Sequence, residues 1–175
     1  VINLSNLTFT KGSTDYGGVA YYADKVINAP NGAVIGDYVF SKPNDQYILT
    51  QYLGNDTKIV LPENCNGENY AIGANVFNGN TAITSLTIPN SVTSIGGGAF
   101  YGCEKLKKVI NYSSLVFTKG YSNNGYVAYY ADKVINAPNG VVNGDYVFST
   151  VDGKHSLAGY LGSEAEIVLP ENCNG

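Results

Sequence analysis

Apolar and polar residues alternate along this chain only in short runs, and those runs return at fixed distances. Ile83, Leu86 and Ile88 place two residues of period two after a spacing of three, which predicts a short strand entered through a turn. The surrounding pattern repeats at an offset of 23. Ile72-Gly73 aligns with Ile95-Gly96, Val76-Phe77 with Ala99-Phe100, Gly79 with Gly102, Ile83 with Leu106 and Leu86 with Val109. A period of this size predicts one strand plus a turn or short helix per unit, each unit burying its apolar face against the next.

A second, longer repeat encloses the short one. Val1–Gly67 aligns with Val109–Gly175 at an offset of 108 without a gap, and 44 of 67 positions are identical. VAYYADKVINAPNG occurs at Val19–Gly32 and again at Val127–Gly140, and IVLPENCNG at Ile59–Gly67 and Ile167–Gly175. Differences gather at Ser13–Tyr16 and Lys42–Gln51, as expected of loop tips. Asp145 to Tyr160 reads as a β-hairpin turning at Asp152-Gly153, and Pro43-Asn44-Asp45-Gln46 supplies the corresponding turn in the first copy. Ile59-Val60-Leu61-Pro62 resembles Leu86-Thr87-Ile88-Pro89, with four extra loop residues before Ile72-Gly73. The chain therefore divides into a hairpin-containing module (1–67), two short repeats (68–108) and a second copy of the module (109–175), all within one array. Aromatic and β-branched residues between frequent turns make the expected fold mainly β.

The stretch Leu86–Val109, LTIPNSVTSIGGGAFYGCEKLKKV, resembles the BspA-type leucine-rich repeat at Ile88, Pro89, Ser91, Val92, Thr93, Ile95, Gly96, Ala99, Phe100, Cys103 and Leu106. The resemblance covers about two repeats, and the 67-residue copies share only their ends with it. It implies a leucine-rich-repeat solenoid of short strands with turns or short 3-10 helices, here interrupted by β-hairpin insertions. It also implies display on the surface of host-associated bacteria or some parasitic protists, in adhesive roles.

Composition narrows the function classes. The chain has 175 residues and a net charge of −4, and all ten of its cations are lysine. Without arginine, an acidic chain is a poor nucleic-acid binder. No apolar run is long enough to span a membrane. The 21 glycines and 21 asparagines predict many tight turns. The absence of methionine is expected of a processed or excised piece. Neither end reads as a polar cap, so a segment of a longer array is expected, with end-to-end self-association through uncapped repeats.

Candidate chemistry is sparse. Cys65 and Cys173 are one position seen twice, Cys103 is the signature cysteine, and no CxxC pair suggests a zinc site. The three read as small core or loop residues, with a Cys65–Cys103 bridge left open. The lone His155 aligns with Tyr47, so a histidine relay would work in one copy only. Asp24, Asp37 and Glu63 recur as Asp132, Asp145 and Glu171 and read as turn residues; an acid–base pair would need two carboxyls facing one cleft. Gly96-Gly97-Gly98 reads as a bend. Asn3, Asn6, Asn55 and Asn111 head N-x-S/T triplets and read as turns.

The expected function is a non-enzymatic surface or secreted module, without cofactor or metal, that binds a host or extracellular-matrix protein. A carbohydrate-binding or purely structural spacer segment is the alternative, and a hydrolase with a carboxylate pair a further rival. Tyr21-Tyr22 and Tyr129-Tyr130 are expected on successive strand positions, one ring of each pair in the core and the other available to a ligand. Ser85, Thr87, Lys107 and Lys108 are expected to line one solenoid face as ligand contacts.

Overall fold

The computed structural model describes residues 1–164 and 167–172. The first module contains strands β1 (Ile2–Asn3), β2 (Ile27–Asn28), β3 (Ala33–Ile35), β4 (Tyr38–Ser41), β5 (Tyr47–Tyr52) and β6 (Lys58–Val60). The short repeats contribute β7 (Tyr70–Ile72), β8 (Ser85–Ile88) and β9 (Val92–Ile95). The second module contributes β10 (Lys108–Asn111), β11 (Lys133–Asn136), β12 (Val141–Asn143), β13 (Tyr146–Val151) and β14 (Lys154–Tyr160). Among the described residues, helical structure is confined to single turns at Asp15–Gly18, Pro43–Asp45 and Asn124–Tyr126.

The expected β-solenoid is what these strands build, in about six turns. One parallel sheet has the order β11-β10-β8-β6, and its register puts Ile59, Leu86, Val109 and Val134 in one inward row. A second parallel run, β5-β7-β9, lines the other side, with Tyr47 opposite Tyr70 and Tyr70 opposite Val92. The insertion of the first module is the antiparallel meander β3-β4-β5, and its last strand doubles as a solenoid strand. Its counterpart β12-β13-β14 turns at Asp152 and Gly153, both at positive φ, as the Asp-Gly hairpin requires.

Between the sheets, Phe77 and Phe100, one short period apart, stack with centroids 4.9 Å apart. Tyr52 packs on Phe77 and Tyr38 on Tyr52, so an aromatic spine runs from the meander into the short repeats. Gly79 and Gly102 hold the same left-handed turn one unit apart, and a Cβ on Gly102 would lie 3.2 Å from the Gly79 Cα.

Two triplet asparagines depart from the turn reading. Asn3 and Asn111 end strands and are buried. The Asn111 amide donates to the Leu115 carbonyl (2.5 Å) and to Asn136 Oδ1 (3.0 Å), and its Oδ1 accepts from the Ser113 N–H. Asn136 Oδ1 accepts from the Phe117 N–H and its amide donates to the Phe117 carbonyl. Asn3 and Asn28 make the same bonds to Leu7, Ser5 and Phe9. These side chains satisfy loop backbone that no neighbouring strand reaches, which is why a polar residue is retained inside. Asn6 and Asn55 lie outside the strands, as expected.

The duplication places one sequence in two environments. Val127 is 1% exposed and its twin Val19 is 53% exposed. In the second copy the preceding short repeat covers this face: the Phe100 N–H donates to the Gly125 carbonyl, and a Cβ on Gly125 would lie 2.4 Å from the Gly96 oxygen. A Cβ on Gly17, the twin of Gly125, would meet no side chain or backbone within 4 Å beyond its chain neighbours. Burial here belongs to the neighbouring turn rather than to the segment itself.

Candidate interaction surfaces

On the outward side of the parallel sheet, Lys58, Ser85, Lys108 and Lys133 stand in register on adjacent strands. The next outward row is Val60, Thr87, Ile110 and Ile135. Ser85, Thr87 and Lys108 thus share one face, as expected, and three lysines form a cationic stripe on an acidic chain. Lys108 and Lys133 stand on adjacent strands, about 4.8 Å apart in the sheet, and Lys58 lies two strands from Lys108, beyond Ser85. Lys107 sits one residue before β10, and its ammonium donates to the Tyr130 carbonyl at 3.3 Å. At the β11 end the second meander closes over the face: Ile135 packs with Val147, Ala158 and Leu161, and the Lys133 ammonium donates to the Tyr160 carbonyl.

The tyrosine pairs overturn the strand expectation. Tyr21-Tyr22 and Tyr129-Tyr130 lie in turns, with the strand beginning only at Ile27 in the first copy and Lys133 in the second. The core contacts of that segment come from Val127, Ala128 and Ala131, which leaves no ring of either pair in the core. In the first copy both rings are exposed, Tyr22 to 92%, and they meet edge to face at 4.7 Å. In the second copy the pair joins a larger cluster. Tyr101 contacts Tyr126 at 5.2 Å, Tyr126 contacts Tyr129 at 5.4 Å and Tyr129 contacts Tyr130 at 4.9 Å, all edge to face. Tyr101 is 53% exposed and Tyr129 45%.

Tyr101 and Tyr126 were not among the residues singled out from sequence. Their spacing of 25 residues, one solenoid turn, is the signal that brings them together. The position of Tyr126 is Gly18 in the first copy, so four contacting rings occur only in the second.

Cys65 and Cys103 are buried free thiols, so the bridge considered from sequence is not formed; Cys173 lies outside the described residues. Burial pushes both thiols up to about 11, and Cys103 Sγ donates to the Phe77 carbonyl at 3.1 Å. A thiol-specific chromogenic reagent applied to a Cys173→Ser variant at pH 8 is expected to label no cysteine in the native protein and both after unfolding. Rapid native labelling of either would contradict this burial. Because both folded values lie above the ordinary 9.0, the unfolded chain releases these protons first. The stability they contribute is complete below pH 9 and declines as pH rises toward 11.

Among the described residues no three histidine, cysteine or carboxylate side chains come together as a metal site. At Asp37 and Asp145 the backbone carbonyls accept from the Leu53 and Leu161 N–H groups. Glu63, of the recurring set, borders a cleft together with Tyr112 and Asn90.

The inward positions of the 23-residue unit, Ile88, Val92, Ala99, Phe100, Cys103 and Leu106, are all buried. A family profile described as BspA type leucine rich repeat region, of six copies, matches residues 70–150. Residues 70–150 are BspA-type leucine-rich repeat. The BspA-type match runs through residue 109 and takes in β10 and β11, so the second module carries repeat turns well beyond its shared ends. A leucine rich cell surface protein of Faecalibacterium prausnitzii A2-165 is similar at 27% identity and a TM-score of 0.46, over 63% of this chain and 31% of that one. The chain thus spans about a third of that protein's length. A leucine-rich repeat protein of Bacteroides capillosus ATCC 29799 is similar at 26% identity and a TM-score of 0.41, over 60% of this chain and 97% of that one. No curated protein matches the chain.

Proposed function

We propose that this chain is a non-enzymatic, surface-displayed or secreted leucine-rich-repeat module that binds a host or matrix protein through the cluster Tyr101, Tyr126, Tyr129 and Tyr130. The contiguous half-exposed aromatic cluster carries the reading. Tyrosine offers large apolar area at low entropic cost, and rings that hold one another in place lose little freedom on binding. Lys107 lies beside the cluster and can meet acidic groups at its rim. The BspA-type repeat supports a location outside the cell or on its surface.

The test is surface plasmon resonance of the protein against purified extracellular-matrix proteins, with the double variant Tyr101→Ala, Tyr129→Ala alongside. The expected result is saturable binding to at least one, weakened by about thirtyfold or more in the variant, with thermal melting little changed. Binding to none of them, or binding unaffected by the double variant, overturns the reading. The spacer role then takes its place. One observation favours that role: of the longest run of differences between the copies, Lys42–Ile48, the five residues Lys42–Gln46 lie in the turn between β4 and β5, outside the strands.

A further inference from the structure

Beside the second module lies a cleft of about 250 Å³, separate from the tyrosine cluster, lined by Glu63, Pro89, Asn90, Tyr112, Asn139 and Val142. Each solenoid turn gives it the residues that follow a parallel strand: Glu63 after β6, Pro89-Asn90 after β8, Tyr112 after β10 and Asn139 after β11. We propose that this cleft binds one pyranose ring of a glycan, with Tyr112 as the stacking face and Glu63, Asn90 and Asn139 as hydroxyl partners.

The frame is fixed before any ligand arrives. The Tyr112 N–H donates to the Ile88 carbonyl at 2.8 Å, and the Asn139 N–H donates to the Tyr112 carbonyl at 3.0 Å. A Cβ on Gly140 would stand 2.8 Å from Tyr112 Cδ1, so glycine lets the ring lie close against this turn. Pro89 holds its own backbone torsion. The polar groups that meet the cleft are open to an incoming ligand: Glu63, Asn90 and Asn139 are all exposed. Glu63 lies near enough to Tyr112 to help raise its phenol, after burial itself.

The chemistry selects the ligand class. A carboxylate and no lining cation disfavour an anion and accept hydroxyl or amine donors. Carboxamides both donate and accept, as vicinal hydroxyls require. The aromatic ring offers an apolar face to the C–H face of a sugar. Volume equal to about eight waters suits one ring and falls short of a drug-sized ligand. The copies differ here too: Val-Ile-Asn is unchanged, and the next residue is Leu4 in the first and Tyr112 in the second, where the short repeats complete the cleft.

The experiment is saturation-transfer NMR and titration calorimetry with methyl glucopyranoside, methyl galactopyranoside, methyl mannopyranoside, N-acetylglucosamine and N-acetylgalactosamine. Variants are Glu63→Gln, Tyr112→Leu (the residue of the first copy) and Tyr101→Ala, with folding followed by thermal melting. Transfer to ring protons of at least one pyranoside is expected, weakened about tenfold in Glu63→Gln and in Tyr112→Leu and unchanged in Tyr101→Ala. No transfer up to about 50 mM sugar, or transfer that survives both cleft variants, overturns the proposal. So does selective binding of lysine methyl ester in place of sugars. Failure here leaves the protein-binding cluster untouched, since Tyr101→Ala reports on that surface alone.

Discussion

Phe117→Ala lowers the stability of the fold by about 3–5 kcal/mol, a fall of roughly 6–20 °C in melting temperature, whereas Phe9→Ala lowers it far less. The two residues occupy one position of the long repeat, in the same Phe-Thr-Lys-Gly. Phe117 is buried within the main core, where its removal leaves a cavity that the short repeats cannot close. Phe9 is only half-buried and rests against Tyr16 at 5.5 Å, so truncation there removes a surface contact and opens no void. Thermal melts of the paired variants by circular dichroism measure the difference. Equal losses would show that burial is set by the module and not by the turn stacked against it.

Asn111→Leu is expected to cost about 2–4 kcal/mol, and to be no improvement on Asn111→Ala. The position invites leucine, because Ile88 precedes it in the same inward row and Leu86 and Val109 fill the row beside it. An apolar side chain would fit the row and strand the loop. The Ser113 N–H, the Ser113 hydroxyl and the Leu115 carbonyl would each lose their partner inside the protein. Urea denaturation gives the loss as a lower midpoint at unchanged slope. A leucine variant as stable as the parent would mean that water reaches this loop after all.

Much of the solenoid was legible because its units are local. The 23-residue offset aligned Phe77 with Phe100 and Gly79 with Gly102, and these pairs are in contact. Asp152-Gly153 announced its hairpin through the only dihedrals that suit such a turn. One turn inside each module was missed, although Val-Ile-Asn at 1–3, 26–28, 109–111 and 134–136 marks it at a spacing of 25. The two asparagines of that phrase disguised it, since a polar residue at a strand end reads as a turn until its loop partners are known. The tyrosine pairs failed for a related reason. Alternation cannot separate a strand from a turn when alanines beside the rings already fill the core. The cleft was beyond reach of the sequence, because its lining comes from four successive turns whose depth depends on stacking.

The direction of the backbone hydrogen bonds has a mechanical consequence. In the sheet β11-β10-β8-β6 they run from one turn to the next, along the line in which the turns stack. Tension applied along that line loads the bonds one rung at a time, as in opening a zip, and does not shear whole strands together. A released turn of 23 residues extends to about 80 Å, against about 5 Å of length while stacked. Such an array under load yields in steps and lengthens many times over, while each turn not yet reached keeps its shape.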